Sequence, residues 1–238
     1  MNNTLLLAPS DLDYLPDKCP RCFYLKKKYG IATHSYPPPV FSNFDVVQQR
    51  YFKNKNLNEV TYDLPKGKIM QGEELPGRIV STILKDNKGR DFQLGGRPDI
   101  VIKFDDEKHG YGIIDFKTTN IDPHKSQKYK YQLEAYAQIF SYPGKTKKAN
   151  TPKLGPINEM GVLQFFPEEI FNHDSSRCDM EMRMSYSSLK RNIKDFYNHI
   201  TKIIDTLEKD LPPNFNKDCN ECNYYLKQNN IIHELQCK

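Results

Sequence analysis

No apolar run in this 238-residue chain approaches the ~18 residues that a membrane-spanning helix needs, so no segment reads as transmembrane. The opening, Met1 to Leu7, lacks a basic stretch and is too short in apolar residues for a secretory signal. Internal repeats and a low-complexity tail are missing too, which excludes a solenoid and a long disordered extension. Neither sign of charge dominates: a net charge of +5 permits nucleic-acid binding without requiring it. What remains is 37% hydrophobic and 27% charged, a globular balance. The length suits one large domain, or a core with a small accessory lobe. Without a secretory signal, the expected location is the cytoplasm, where thiols stay reduced.

Two aspartates and a lysine carry the first positive signal. Gly96-Arg97-Pro98-Asp99 leads into Ile100-Val101-Ile102-Lys103-Phe104, and Tyr111-Gly112-Ile113-Ile114 leads into Asp115-Phe116-Lys117. Both runs read as strands, and the polar segment Asp105 to Gly110 between them reads as a hairpin loop. Side chains alternate across a strand, so Asp115 and Lys117 share a face. Pairing of the two strands brings Asp99 and Asp115 towards one point. Two carboxylates make a hard oxygen site suited to Mg²⁺ or Mn²⁺. An ammonium beside them can orient a water or stabilise charge developing on a phosphate. Further on, Gln132-Leu133-Glu134-Ala135-Tyr136 places an amide and a phenol four residues apart, on one face of a helix.

In this order the residues resemble the core of the PD-(D/E)XK nuclease superfamily: Pro98-Asp99, then Asp115-Phe116-Lys117, then a helix similar to the QxxxY motif of its RecB-like branch. The resemblance implies metal-dependent phosphodiester hydrolysis on DNA. Asp99, Asp115 and the Phe116 carbonyl are then the metal ligands. Lys117 positions the attacking water or stabilises the transition state, and Gln132 and Tyr136 orient the substrate strand. The family also implies an upstream acid or histidine on a helix. The helix near Phe44 has no histidine; Asp45 stands in about the right place, with Glu73 and Glu74 as later options, and each also reads as an ordinary surface acid. His109, in the hairpin loop, and His124 read as surface residues.

The cysteines are the second signal. Cys19-Pro20-Arg21-Cys22 and Cys219-Asn220-Glu221-Cys222 are CxxC pairs at opposite ends of the chain. Together they supply four thiolates for one metal centre, and a shared centre clamps the two ends of a very long loop. A disulfide is disfavoured in a reducing compartment. Cys178 and Cys237 have no such partner and read as a buried small residue and a loose C-terminal thiol. The arrangement is similar to the iron–sulfur centre of the Cas-four family of CRISPR-associated RecB-like exonucleases and of AddB-type helicase-nucleases. Those hold one cysteine before the nuclease core and three after it; this chain is two-plus-two, with Tyr225, Leu226 and Lys227 following Cys222. The resemblance implies a 4Fe–4S cluster, while four cysteines also suit tetrahedral Zn²⁺.

From Lys117 to Lys153 the chain holds eight lysines against two acids, interleaved with Tyr129, Tyr131, Tyr136 and Tyr142. Lysines contact phosphates and aromatics stack on unpaired bases, so this stretch reads as a DNA-facing edge. Elsewhere the pattern predicts short helices over 11–17 and 21–29, a rigid linker at Tyr36-Pro37-Pro38-Pro39, and a helix over 44–53. It predicts strands over 79–84, 92–94, 161–166 and 179–186, and helices over 129–141 and 189–210, with a basic loop over 143–156.

The sequence therefore predicts an α/β, restriction-endonuclease-like core with a mixed sheet flanked by helices. A single domain spans residues 1–238, with the core at about 40–210 and a cysteine-bound lobe from about 10–30 plus 211–238. The implied protein is a Mg²⁺- or Mn²⁺-dependent DNA nuclease, of RecB-like exonuclease type, acting in CRISPR adaptation, repair or defence. Its partners are single-stranded DNA or duplex ends, and a helicase or integrase, with no membrane. Two alternatives stand beside it: an inactive DNA-binding subunit of a larger complex, and a zinc-stabilised interaction module.

Overall fold

Apolar residues alternate along the central strands and divide the protein into two cores, one on each face of a sheet. The computed structural model describes residues 4–13, 18–31, 39–53, 55–57, 64–70 and 75–236. In chain order the elements are β1 (Leu5–Leu7), a 3-10 turn (Pro9–Asp11), α1 (Pro20–Tyr29), α2 (Pro39–Phe52), β2 (Gly67–Ile69), β3 (Ile79–Val80), β4 (Leu84–Lys85), β5 (Asp91–Gly96), β6 (Ile100–Phe104), β7 (Tyr111–Thr118), α3 (Pro123–Ser126), a 3-10 turn (Gln127–Tyr129), α4 (Lys130–Ser141), β8 (Ile157–Asn172), β9 (Cys178–Ser188), α5 (Ile193–Leu207) and α6 (Asn220–Gln236).

Five strands form the central sheet in the order β2-β6-β7-β8-β9, and β5 organises a second sheet with β1, β3 and β4. The β6–β7 pair is antiparallel, with Ile100 opposite Ile114 and Lys103 opposite Tyr111. Gly110 closes its turn at φ +60, where a Cβ would stand 2.3 Å from the Pro156 carbonyl oxygen; only glycine fits. Strands β7 and β8 run parallel, with Asp115 opposite Val162 and Lys117 opposite Gln164. A parallel pair needs a crossover, and α4 supplies it. The result is a mixed sheet with helices on its faces, as the sequence predicts.

Alternation also sorts the site. Ile100, Ile102, Ile114, Phe116, Leu163 and Phe165 pack with Phe52 of α2 on one face. Val101, Ile113, Met160 and Val162 pack on the other face with α4 and α5, through Leu133, Ala137, Phe196 and Ile200. Asp99, Asp115 and Lys117 follow the parity of Val101 and Ile113, so all three lie on the α4 side. Helix α5 runs an apolar stripe through Phe196, Ile200, Ile203 and Leu207, and Asn192 caps it by accepting from the Asp195 N–H at 3.0 Å.

Several boundaries differ from expectation for physical reasons. Helix α2 begins at Pro39, because proline at a first helical position sacrifices no intrahelical bond; the rest of the expected linker, residues 36–38, and most of the expected helix 11–17 lie outside the described residues. Strand β8 continues through Pro167 to Asn172. Its pairing with β7 ends at Phe165, and its register with β9 shifts after Pro167, so the missing N–H breaks no ladder bond. Helix α6 carries no pattern in the sequence: most of its residues are exposed and no apolar stripe marks it. Cys178, expected to be buried, is exposed at the start of β9; Cys237, Glu73 and Glu74 lie outside the described residues.

Candidate functional site

The aspartates and the lysine line one cavity of about 300 Å³, together with Phe41, Asp45, Arg97, Phe116, Thr118, Gln132 and Tyr136. Its floor is the place where β6 begins and β7 continues. Asp99, just before β6, accepts the Phe116 N–H at 2.8 Å and the Gln49 side-chain amide at 3.2 Å. In a strand the N–H and C=O of one residue point the same way, so the Phe116 carbonyl faces the Asp99 side as well. Asp115 is buried; one carboxylate oxygen accepts from Gln132 Nε2 at 2.7 Å, and the other pairs with the Lys117 ammonium. Lys117 also lies 4.9 Å from the Tyr129 ring centroid.

Helix α4 supports the site from behind. Gln132 and Tyr136 share a face, as their spacing predicts, but both direct polar atoms at the protein. Gln132 fixes Asp115, and the Tyr136 hydroxyl donates to the Arg97 carbonyl at 2.8 Å. Tyr136 thereby holds the turn that presents Asp99. The close approach requires Gly96, where a Cβ would come within 3.1 Å of the Tyr136 ring and 2.8 Å of Pro9.

The charges in this cavity do not balance. Burial, then the neighbouring Asp115, push the Asp99 carboxyl up to about 6. Burial also raises Asp115, against the opposing pull of Lys117, and burial with the Asp99 charge raises Asp45. Burial works to lower Lys117, but Asp115 and Asp99 outweigh it and hold the ammonium above its ordinary value. Three carboxylates against the Lys117 ammonium and the Arg97 guanidinium leave surplus negative charge in the site. With two buried carboxylates turned to one cavity and oxygen atoms as donors, the residues fit a hard divalent cation.

Asp45 stands at this cavity rather than as an isolated surface acid, carried there by the α2 face that also presents Gln49. Two residues, Asp45 and Arg97, are shared with an adjoining cavity of about 560 Å³ lined by Ser42, Val46, Gln49, Arg50 and Lys53. Its three cations come from α2 (Arg50), the residue that follows it (Lys53) and the turn before Asp99 (Arg97), and sequence reasoning missed them because they are scattered along the chain. The lysine-rich stretch divides instead. Lys117 lines the site and Lys130 pairs with Asp195 at 2.8 Å, whereas Lys145, Lys147, Lys148 and Lys153 follow the far end of α4, whose 12 residues span ~18 Å.

The four cysteines of the two CxxC pairs also come together, with every Sγ within 4.8 Å of the others. Cys19 lies 3.8 Å from Cys222, and Cys22 lies 3.7 Å from Cys219 and 3.5 Å from Cys222. Burial pushes the Cys222 thiol up to about 12 and raises Cys22 further. Four sulfurs gathered within this distance can bind a metal, which would hold them as thiolates. The lobe is tied to the core where the Tyr24 hydroxyl donates to the Lys209 carbonyl at 2.8 Å and Lys28 donates to it at 2.9 Å.

Comparison with known proteins agrees with this geometry. The structure titled "Crystal structure of SSO0001" shares the fold, with a TM-score of 0.50 and 13% identity over 90% of this chain and 81% of that one. At that identity the likeness concerns the fold alone. No curated protein matches the chain. A family model described as the PD-(D/E)XK nuclease superfamily matches residues 44–225, from α2 through the carboxylate site to the second cysteine pair. With that match running through most of its length, the chain belongs to the PD-(D/E)XK nuclease superfamily.

Proposed function

We propose that the protein is a Mg²⁺- or Mn²⁺-dependent deoxyribonuclease of the RecB-like type. The observation that carries this reading is the convergence of Asp99, Asp115 and Lys117 in one cavity with a surplus of carboxylate charge. Asp99, Asp115 and the Phe116 carbonyl would hold the metal, with Asp45 beside them. A bound divalent cation supplies Lewis-acid stabilisation of phosphate charge and a lowered water pKa. Lys117, charged and fixed by its ion pair, orients the attacking water or donates to the phosphoryl oxygens as charge develops. Gln132 and Tyr136 act as positioning residues for Asp115 and for the Asp99 turn.

The adjoining cavity with Arg50, Lys53 and Arg97 suits the phosphates of a strand that enters the site along α2. Exonucleolytic trimming of single strands or duplex ends, in CRISPR adaptation, repair or defence, fits a site open on one side, and a helicase or integrase could deliver such ends. The cysteine lobe is read as a structural part of one domain, and cysteines that form no disulfide suit the reducing cytoplasm.

The test is cleavage of end-labelled single- and double-stranded DNA with Mg²⁺, Mn²⁺ or EDTA, with Lys117→Ala as control. Metal-dependent cleavage that disappears in the variant is the expected result. Tight, salt-sensitive binding without cleavage under any metal would move the assignment to an inactive DNA-binding subunit.

A further inference from the structure

We infer that the four cysteines hold a single tetrahedral Zn²⁺ and not the 4Fe–4S cluster that the family resemblance implies. The sulfur spacing separates the two. Zn–S bonds of ~2.3 Å in a tetrahedral site set the sulfurs ~3.8 Å apart along each edge. Three of the six separations are 3.5, 3.7 and 3.8 Å, and none of the six exceeds 4.8 Å. A 4Fe–4S cube gives each thiolate an iron of its own at a separate corner, which spreads the sulfurs on the order of 6 Å. No cube fits between sulfurs this close. The neighbouring cavity of about 310 Å³ provides no room either, because Cys222 is the one cysteine of the four that lines it.

The surrounding backbone is arranged as two matching half-sites. Cys19 caps the start of α1 and Cys22 lies in its first turn, with the Phe23 N–H bonded to the Cys19 carbonyl at 3.0 Å. Cys219 immediately precedes α6 and Cys222 lies in its first turn, with the Asn223 N–H bonded to the Cys219 carbonyl at 3.0 Å. Each CxxC pair thus presents two sulfurs from one helix start, and the positive ends of both helices face a centre whose four thiolates around Zn²⁺ carry net negative charge. The Asn216 N–H also reaches Cys19 Sγ at 3.3 Å, a bond that a metal-bound thiolate accepts well. Two pairs of two ligands are the ordinary composition of a closed structural zinc site, and such a site is redox-silent. The centre then clamps the termini and takes no part in electron transfer. This inference is independent of the nuclease reading, since it concerns a different set of residues and its readout is metal identity.

The test uses the full chain, produced with both iron and zinc supplied and purified without oxygen. Elemental analysis, acid-labile sulfide and the visible spectrum are then measured on the same sample. The expected result is one zinc per chain, no labile sulfide and no iron–sulfur absorbance. Replacement by Co²⁺ should give the intense visible bands of a tetrahedral thiolate site. Iron and labile sulfide in about equal amounts with a brown chromophore would overturn the inference, and so would protein that folds and holds no metal. Loss of metal in the double variant Cys19→Ser, Cys222→Ser supports the assignment of the ligands. If that variant fails to fold, displacement of zinc from the native chain by a thiol-reactive mercurial, read with a zinc indicator, counts the thiols per zinc; a ratio other than four contradicts the site.

Discussion

The carboxylate site and the cysteine centre each gather groups that could hold a metal, and they differ in nearly every other respect. The first is hard and open at the front, and it comes from a short stretch of sequence: Asp99 and the Phe116 N–H that it accepts are 17 residues apart, and Gln132 is 17 residues beyond Asp115. The second is soft and closed, and it joins Cys19 to Cys222 across 203 residues. A local hairpin can position carboxylates before any metal arrives, because strand alternation and the β6–β7 register already aim them at one point. The cysteine lobe has little of its own to hold it: its buried cluster is Cys19, Cys22 and Cys222 with partly buried Phe215 and Cys219. A metal bound there would therefore contribute folding free energy, whereas a metal at the carboxylates would contribute chemistry.

The largest effect should come from breaking the soft site. Cys22→Ser removes one ligand of four, and with structural zinc worth on the order of 10 kcal/mol in small domains, the lobe should unfold and the melting temperature of the chain should fall by many degrees in a thermal scan. Breaking the hard site should do the opposite. Asp115→Asn should lower cleavage by roughly 10²–10³, the scale of losing one charge-stabilising group. Its melting temperature should stay level or rise, because the variant no longer buries a carboxyl whose ionised form is disfavoured.

A subtler contrast appears with pH. The folded Asp99 keeps its proton up to about 6, while an unfolded aspartate releases it near ~3.9. The folded state therefore binds the extra proton, and in chelator-treated protein stability should fall as pH rises through that window. A divalent ion competes for the same carboxylates, so the rise in melting temperature on adding Mg²⁺ should grow across the same window. A Mg²⁺-induced shift that is flat with pH would detach Asp99 from the metal. Gln132→Leu should weaken Mg²⁺ affinity about tenfold or more by releasing Asp115, seen as a higher half-saturating metal concentration with the same limiting rate. The smallest effect belongs to the adjoining cavity: Lys53→Ala should reduce the salt slope of DNA binding by about 1 and raise KM with kcat retained.

Much of this was legible in the sequence, and the reasons are specific. The hairpin follows from period-two apolar runs around a polar turn ending in Gly110, and the parity of Asp115 and Lys117 needs nothing more. The cysteine pairs were legible because CxxC spacing is a local chemical signal. The basic cavity was not, since Arg97 meets Arg50 and Lys53 only when α2 lies against the end of β7, where Gln48 Nε2 donates to Thr118 Oγ1 at 3.1 Å. The lysine-rich stretch divides for the converse reason: residues close in sequence lie at opposite ends of α4. Gln132 and Tyr136 were found by spacing, but spacing does not say whether a polar group faces substrate or protein, and here it faces Asp115 and the Arg97 carbonyl. The extension of β8 and β9 past the core was hidden because burial no longer alternates there: Glu168 to Asn172 are exposed on both faces.

The most direct test of the division between the two centres is one sample followed through mild chelation. DNA cleavage, zinc content and far-UV circular dichroism are measured before chelation, after removal of loosely held divalent ions, and after addition of Mg²⁺ alone. The expected result is cleavage that drops to background and returns fully with Mg²⁺, while one zinc per chain and the helical signal stay constant throughout. Cleavage that survives chelation, or that returns only when zinc is restored, would contradict the account.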